Sequence, residues 1–360
     1  MAEVNFEEIA KLEAKVAGVK MPQPLTDKVN DTLSRLGRVA KMGGQFATEF
    51  DNAARYIDWV TNLPWFNRSQ DILDLDFAQK ALNERHYGLQ AVKDKILEYL
   101  SVLKLQIDRQ KNSNSLTTSQ AGTFFSRAPI LALVGLVGTG KTTLAYSIAK
   151  AMGRKFERVP FGGIGDALYL RGQSRAYADA EPGAIIKALR RAGTKNPVIL
   201  LDEIDRVDEK ARATIMGVLV ELLDPEQNAA YSDHYIDYPF DLSEVLFIAT
   251  SNNTSNISTA VLDRLEPLLM PSYTDEEKIT IGRDYVLKSV LEEASLPEGS
   301  IQIAPEVWPK IVRPLGFDSG IRTLERTINT IVRRAARQIV SGGAKQFVIN
   351  EKNILEFLPI

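Results

Sequence analysis

Apolar positions set the first division of this chain. Through its first 66 residues they recur at helical spacing: Phe6, Ile9, Leu12 and Val16, then Val29, Leu33 and Leu36, then Tyr56, Ile57, Val60 and Leu63 with Trp59 among them. Pro22 and Pro24 separate the first two helices, Gly43-Gly44 the next two, and Pro64 ends the third. The spacing predicts more helix over 75–105, interrupted at His86-Tyr87-Gly88-Leu89. QKNSNSLTTSQAG follows, polar and aperiodic, and predicts an exposed loop reaching to about residue 128. Beyond it the pattern changes. PILALVG, FERVPF, VILLD and VLFIAT are short, continuous in apolar residues and separated by helix-like stretches. Continuity instead of alternation predicts strands covered on both faces, hence a parallel sheet between layers of helices. From about Tyr273 helical spacing returns and lasts to the end, apart from a short FVI run at 347–349.

Composition narrows this picture without redrawing it. The chain has 360 residues, 44% hydrophobic and 25% charged, the profile of an ordinary globular protein with two or three domains. Its 44 basic and 46 acidic residues leave a net charge of -2, so bulk charge nominates neither nucleic acid nor an anionic membrane. Cysteine is absent, which excludes disulfides, thiol nucleophiles and zinc–thiolate sites. The first 15 residues are charged and amphipathic, without the apolar core of a signal peptide. No run of about 18 apolar residues predicts a membrane span, and the expected address is the cytoplasm. His86 and His234 stand far apart and do not suggest a histidine metal site.

The chemistry begins after PILALV. Gly135, Gly138, Thr139, Gly140, Lys141 and Thr142 complete the pattern G-x-x-x-x-G-K-T, with Thr143 opening the helical run that follows. Glycines let consecutive backbone N–H groups close around phosphate oxygens where a side chain would collide. The following helix N-terminus adds partial positive charge. Lys141 offers a compact cation to the β- and γ-phosphates, and the Thr142 hydroxyl a ligand to magnesium.

About 60 residues on, the apolar run Val198 to Leu201 ends in Asp202-Glu203. Acids at the carboxyl end of a buried strand stand where open α/β sheets bind ligands. Asp202 suits a magnesium shell and Glu203 a general base for the attacking water, although solvated acids closing a strand would look the same in isolation. Asn252, just past VLFIAT, fits either a turn or a water-positioning amide. Arg264 and Arg322 are candidate stabilisers of transition-state charge, and equally ordinary surface arginines by spacing alone.

RYIDWVTNLPW, LNERHYGLQAVKDKILEYLSVLKL, AGTKNPVILLDEID, LLDPEQNAAYSDHYIDYPFDLSEVLFIATSN and SGIRTLERTI together resemble the Lon family over almost the whole chain. The resemblance implies an α/β P-loop AAA+ module in three parts: a helical neck over 1–70, a large subdomain over 71–272 and a small helical lid over 273–360. It implies ATP and magnesium, a homo-oligomeric, hexameric ring and protein substrates. It places His86, Tyr87 and Gly88 by the adenine, and makes Asn252 the γ-phosphate sensor. Arg264 becomes a finger reaching a neighbouring subunit's site, and Arg322 the lid arginine of the subunit's own. Tyr177 becomes the pore aromatic that grips polypeptide, with Asp224 to Asp233 a second pore loop. Ala178, Asp179 and Glu181 depart from the family's bulkier, apolar pattern, as Leu136-Val137 depart from its usual P-loop prolines. The chain ends at LEFLPI, before the family's serine–lysine peptidase domain would begin, so no peptidase activity is expected of it. The expectation is therefore an ATP-driven unfolding or remodelling motor. Two alternatives stay open: the motor portion of a split or truncated Lon with a separate peptidase, and a nucleotide-gated scaffold that threads nothing.

Overall fold

The computed structural model describes residues 2–42, 46–112, 130–313, 320–341 and 346–358. The predicted break at Gly43-Gly44 and most of the predicted polar loop lie outside them. Helices α1 (Ala2–Ala17), α2 (Gln23–Met42), α3 (Phe46–Thr61), α4 (Leu75–Arg85) and α5 (Gln90–Asn112) follow the helical spacing. Pro24 does not precede α2 but lies in its first turn, where no intrahelical N–H is needed. α5 continues through Gln110-Lys111-Asn112, which the polar pattern assigned to the loop.

Five strands form the main sheet: β1 (Ile130–Val134), β2 (Phe156–Pro160), β3 (Val198–Asp202), β6 (Leu246–Ser251) and β7 (Leu265–Leu269), in the order β2-β3-β6-β1-β7. β3 is parallel to β2 and to β6, with Val198 opposite both Phe156 and Leu246. Every residue of β3 and β6 is buried, as continuous apolar runs require. β7 escapes the sequence pattern because Glu266 and Pro267 interrupt it; an edge strand tolerates both. There are two small sheets besides: the antiparallel pair β4 (Tyr231–Ser232) and β5 (Pro239–Phe240), and the parallel pair β8 (Ile301–Ile303) and β9 (Phe347–Ile349), of which only β9, the FVI run, stands out in the sequence. The strands therefore do not stop at Tyr273. No helix of the described residues is long and apolar enough to cross a membrane.

The chain divides into two compact units, and the division passes through β1 and β7. The first comprises Met1–Asp74, Tyr99–Ala132 and Ala149–Pro267. In it the neck helices are pinned to the α/β layers by mixed contacts. Asp58 of α3 accepts from Lys15 and from Arg190, each at 2.6 Å, and Arg190 lies over the Trp59 ring. Trp65 packs on Phe240 at 4.9 Å, and Lys28 reaches Asp237 at 2.5 Å. Asp71 and Arg154 form a paired ion bridge through two bonds of 2.7 Å.

The second unit comprises Leu75–Glu98, Leu133–Ile148 and Leu268–Ile360. Its C-terminal part has its own core, in which Trp308, Ile311, Leu324, Ile328, Ile331 and Val332 are almost fully buried. A helix Asp275–Ile281 starts this part with a reciprocal cap: Thr274 accepts from Glu277 N–H and Glu277 from Thr274 N–H. It passes into a π-turn at Gly282–Val286, where a Cβ on Gly282 would stand 2.7 Å from the Trp308 ring.

Candidate nucleotide and hydrolysis residues

The second unit holds the whole P-loop with the residues expected around adenine and the lid arginine. β1 leads into the loop and α6 (Lys141–Ala151) leads out. Gly138 and Gly140 take φ of +83° and +89°, open to glycine and strained for other residues. Gly135 has a different reason: a Cβ there would fall 2.6 Å from Met270 O. Lys141 Nζ turns back to donate to Gly135 O at 2.5 Å and Leu136 O at 2.9 Å, bracing the loop across its width. Thr139 and Thr143 hydroxyls donate to Leu136 O and Gly140 O, each at 2.9 Å. Backbone amides in this conformation, a lysine at the loop's end and a helix N-terminus together suit polyphosphate.

Around that loop stand residues from both ends of the unit. His86 is buried, sharing a 3.1 Å hydrogen bond between Nε2 and Ser147 Oγ in α6. Burial pushes its imidazole down to about 4, so it is neutral at physiological pH. Lys93 donates to His86 O at 2.6 Å and to Asn83 at 2.8 Å, tying the α4–α5 junction together. Tyr87 is 37% exposed and meets Tyr285 edge to face at 6.4 Å. Gly88 has φ of +62°, and Glu277 Oε1 lies 3.4 Å from where its Cβ would be. A half-exposed aromatic ring beside a backbone without a side chain suits a planar base. The phenol of Tyr273, pushed up to about 12 by burial, stays protonated and donates to Thr139 O at 3.4 Å.

The lid meets the loop directly. Ile321 N–H donates to Gly138 O at 2.9 Å, and a Cβ on Gly138 would lie 3.2 Å from Gly320 Cα. Arg322, exposed, opens the helix Arg322–Val340 next to that contact. Sequence reading singled out neither Tyr273, Ser147, Tyr285 nor Ile321, since each reads as core or helix filler until the fold closes.

The first unit holds the acids. Asp202 ends β3 and is 4% exposed. Its Oδ1 accepts from the Thr250 hydroxyl and its Oδ2 from Arg158, Nη2 at 2.6 Å and Nε at 2.7 Å. Arg158 on β2 therefore sets a cation against this carboxylate, a role hidden in the strand FERVPF. Glu203 sits in the left-handed region at φ +59°, costing on the order of 1 kcal/mol or more for a non-glycine residue. Its N–H donates to Thr250 Oγ1 at 2.9 Å, and its carboxylate stands 3.3 Å from Arg206. Asn252 follows β6, and its N–H donates to the buried Asp205 carboxylate at 3.2 Å. Because β3 and β6 are neighbours in register, Asp202, Glu203 and Asn252 leave the same end of the sheet. Asp205 and Thr250 were not foreseen.

Arg264 and Tyr177 belong to the same unit but to other parts of it. Arg264 is held by Asp224 Oδ2 at 2.8 Å and by Ala260 O at 2.8 Å. Tyr177 is 69% exposed at the tip of a loop closed by Gln173 N–H to Glu181 O at 3.0 Å. Of the stretch Asp224 to Asp233, Asn228, Tyr231 and Asp233 are buried, and its exposed residues are small or polar. An aromatic grip on substrate therefore has Tyr177 as its candidate and none in that second stretch.

This architecture is that of an AAA+ ATPase. Residues 131–272 match the family model described as ATPase family associated with various cellular activities (AAA), and residues 292–348 match the Lon protease AAA+ ATPase lid domain. Lon protease 2 of Thermus thermophilus is 39% identical over 356 residues, which cover 99% of this chain and 43% of that protein. Lon protease 1 of Bacillus subtilis is 41% identical over 352 residues, 98% of this chain and 43% of its own length. Lon protease of Lawsonia intracellularis is 40% identical over 354 residues, 98% and 40%. With an AAA domain, a Lon-type lid and about 40% identity along nearly its full length, the chain is similar to the AAA+ portion of Lon proteases. It spans about two fifths of the length of these relatives.

Proposed function

We propose that the chain is an ATP-hydrolysing motor that unfolds or remodels protein as a homo-oligomeric, hexameric ring. The observation that carries this reading is the joint between Gly138 and Ile321, which couples a phosphate-binding loop to the lid bearing Arg322. A lid hung on the P-loop moves when the loop's contents change. We retain neck, large subdomain and lid, 1–70, 71–272 and 273–360, as the functional division.

Each residue has a part. The P-loop amides and Lys141 hold the β- and γ-phosphates, with Tyr87 and Gly88 against the base. Thr142 and Asp202 offer the hard oxygen ligands that magnesium takes. The ion, when bound, shields charge developing on the phosphate oxygens. Glu203 polarises the attacking water and Asn252 orients it. Arg322 from the subunit's own lid and Arg264 from a neighbour stabilise the transition-state charge. Tyr177 grips polypeptide.

The test is steady-state ATP hydrolysis by the purified chain, with and without an unfolded polypeptide, beside Glu203→Gln. Hydrolysis that Glu203→Gln abolishes and polypeptide stimulates supports the motor. Absence of hydrolysis overturns the assignment. Hydrolysis indifferent to polypeptide favours a nucleotide-gated scaffold, the reading suggested by the exposed Asp179 and by Glu181 engaged with Lys187 at 2.5 Å.

A further inference from the structure

Arg264 does not project freely from its helical turn. Nη1 donates to Ala260 O and Nη2 to Asp224 Oδ2, both at 2.8 Å, while Nε is buried with no hydrogen-bond partner among the described residues. The guanidinium is thus fixed at two points, one of them a carboxylate 40 residues away in sequence. Asp224 is itself anchored. It ends the helix Arg212–Leu223 and caps the turn Pro225–Asn228, its Oδ1 accepting from Glu226 N–H at 3.0 Å and Gln227 N–H at 3.3 Å. One oxygen therefore holds the backbone and the other the arginine. Side-chain exposures of 27% for Arg264 and 19% for Asp224 leave the pair partly shielded, where an ion pair orients more than it would in open water. The bond to Arg264 holds the Asp224 carboxyl below its ordinary range, so the carboxylate stays charged at physiological pH.

We propose that Asp224 is the positioning residue of Arg264, setting where the finger's guanidinium stands before it meets a neighbouring subunit. The proposal rests on reading Arg264 as that finger. An arginine finger acts by placing charge on a developing transition state, and its value depends on alignment. A long side chain left to its own rotamers delivers that charge for only a fraction of the time, whereas one clamped by an anchored carboxylate is pre-organised.

Asp224→Asn separates the two oxygens' duties. Asparagine remains a good cap for Glu226 and Gln227, so the turn keeps its acceptor, while the charge that orients Arg264 is lost. Hydrolysis is measured for wild type, Asp224→Asn, Arg264→Ala and the double variant, with thermal midpoints and binding of a fluorescent ATP analogue as controls on folding. The expected result for Asp224→Asn is a fall in kcat of about tenfold or more with KM for ATP little changed. In the double variant the asparagine adds nothing to the loss from Arg264→Ala. Asp224→Glu, which restores the charge, recovers part of the rate. If Asp224→Asn lowers kcat by the same factor in the Arg264→Ala background, the carboxylate acts elsewhere and the proposal is overturned. A wild-type rate for Asp224→Asn beside a crippled Arg264→Ala overturns it too. An Arg264→Ala chain that hydrolyses normally overturns the finger reading itself, a different failure from these two.

Discussion

His86 is the residue whose chemistry the fold changes most. An exposed imidazole titrates near 6.5, and burial here brings it to about 4. The unfolded chain therefore takes up a proton between those values that the folded chain refuses. A folded-state pKa below the unfolded one gives a contribution that is complete above pH 6.5 and lost as pH falls toward 4. The shift corresponds to about 3 kcal/mol across that window. His86→Gln removes the titration and leaves an amide able to meet Ser147. The difference in unfolding free energy between wild type and His86→Gln, read by denaturant titration at steps from pH 7.5 to 4, should move against wild type as pH falls. A difference that stays flat would show that His86 does not carry this linkage. Since His86 joins the α4–α5 junction to α6, binding of a nucleotide analogue should weaken over the same range.

At the scale of elements, legibility followed local contrast. The runs VILLD and VLFIAT announce buried parallel strands because nothing polar interrupts them, and the P-loop is readable because its glycines and lysine are contiguous. LEPLL fails as a strand signal because an edge strand needs only one buried face. IQI is too short to signal at all. The partners Asp224, Asp205, Thr250 and Arg158 were illegible for another reason: each gains its role from a residue 40 or more positions away. The Tyr177 loop shows both cases. Its aromatic tip is conspicuous in sequence, but its base is not. A Cβ on Gly183 would fall 1.9 Å from Leu170 O, and Gly183 N–H is held by the fully buried Asp233 at 2.7 Å. Gly183→Ala must displace backbone, at about 1–3 kcal/mol. Its melting midpoint should drop and limited proteolysis should cut near Tyr177 faster than in wild type. Gly165→Ala, at a position with open space around the missing Cβ, is the matched control. Equal proteolysis of the two variants would mean the loop's base is not what holds it.

For the whole molecule, the question is whether one chain contains a complete reaction. Glu203 and Arg264 both belong to the first compact unit, yet the proposed ring asks them to serve different sites, Glu203 its own subunit's and Arg264 a neighbour's. That asymmetry can be tested by complementation. Glu203→Gln subunits keep the finger and lose the base, and Arg264→Ala subunits keep the base and lose the finger. Each alone should be nearly inactive. Mixed at equal amounts under conditions that allow exchange, a site regains both groups wherever an Arg264→Ala subunit receives its finger from a Glu203→Gln neighbour. Random mixing in a head-to-tail ring makes that about one quarter of sites. Hydrolysis should then rise to about a quarter of the wild-type rate, far above the sum of the two parents. If the finger instead served its own subunit, every site in the mixture would lack one group or the other, whatever its neighbours. Mixing would then recover nothing. Recovered activity also requires assembly, so it should fall on dilution while that of a monomeric enzyme would not.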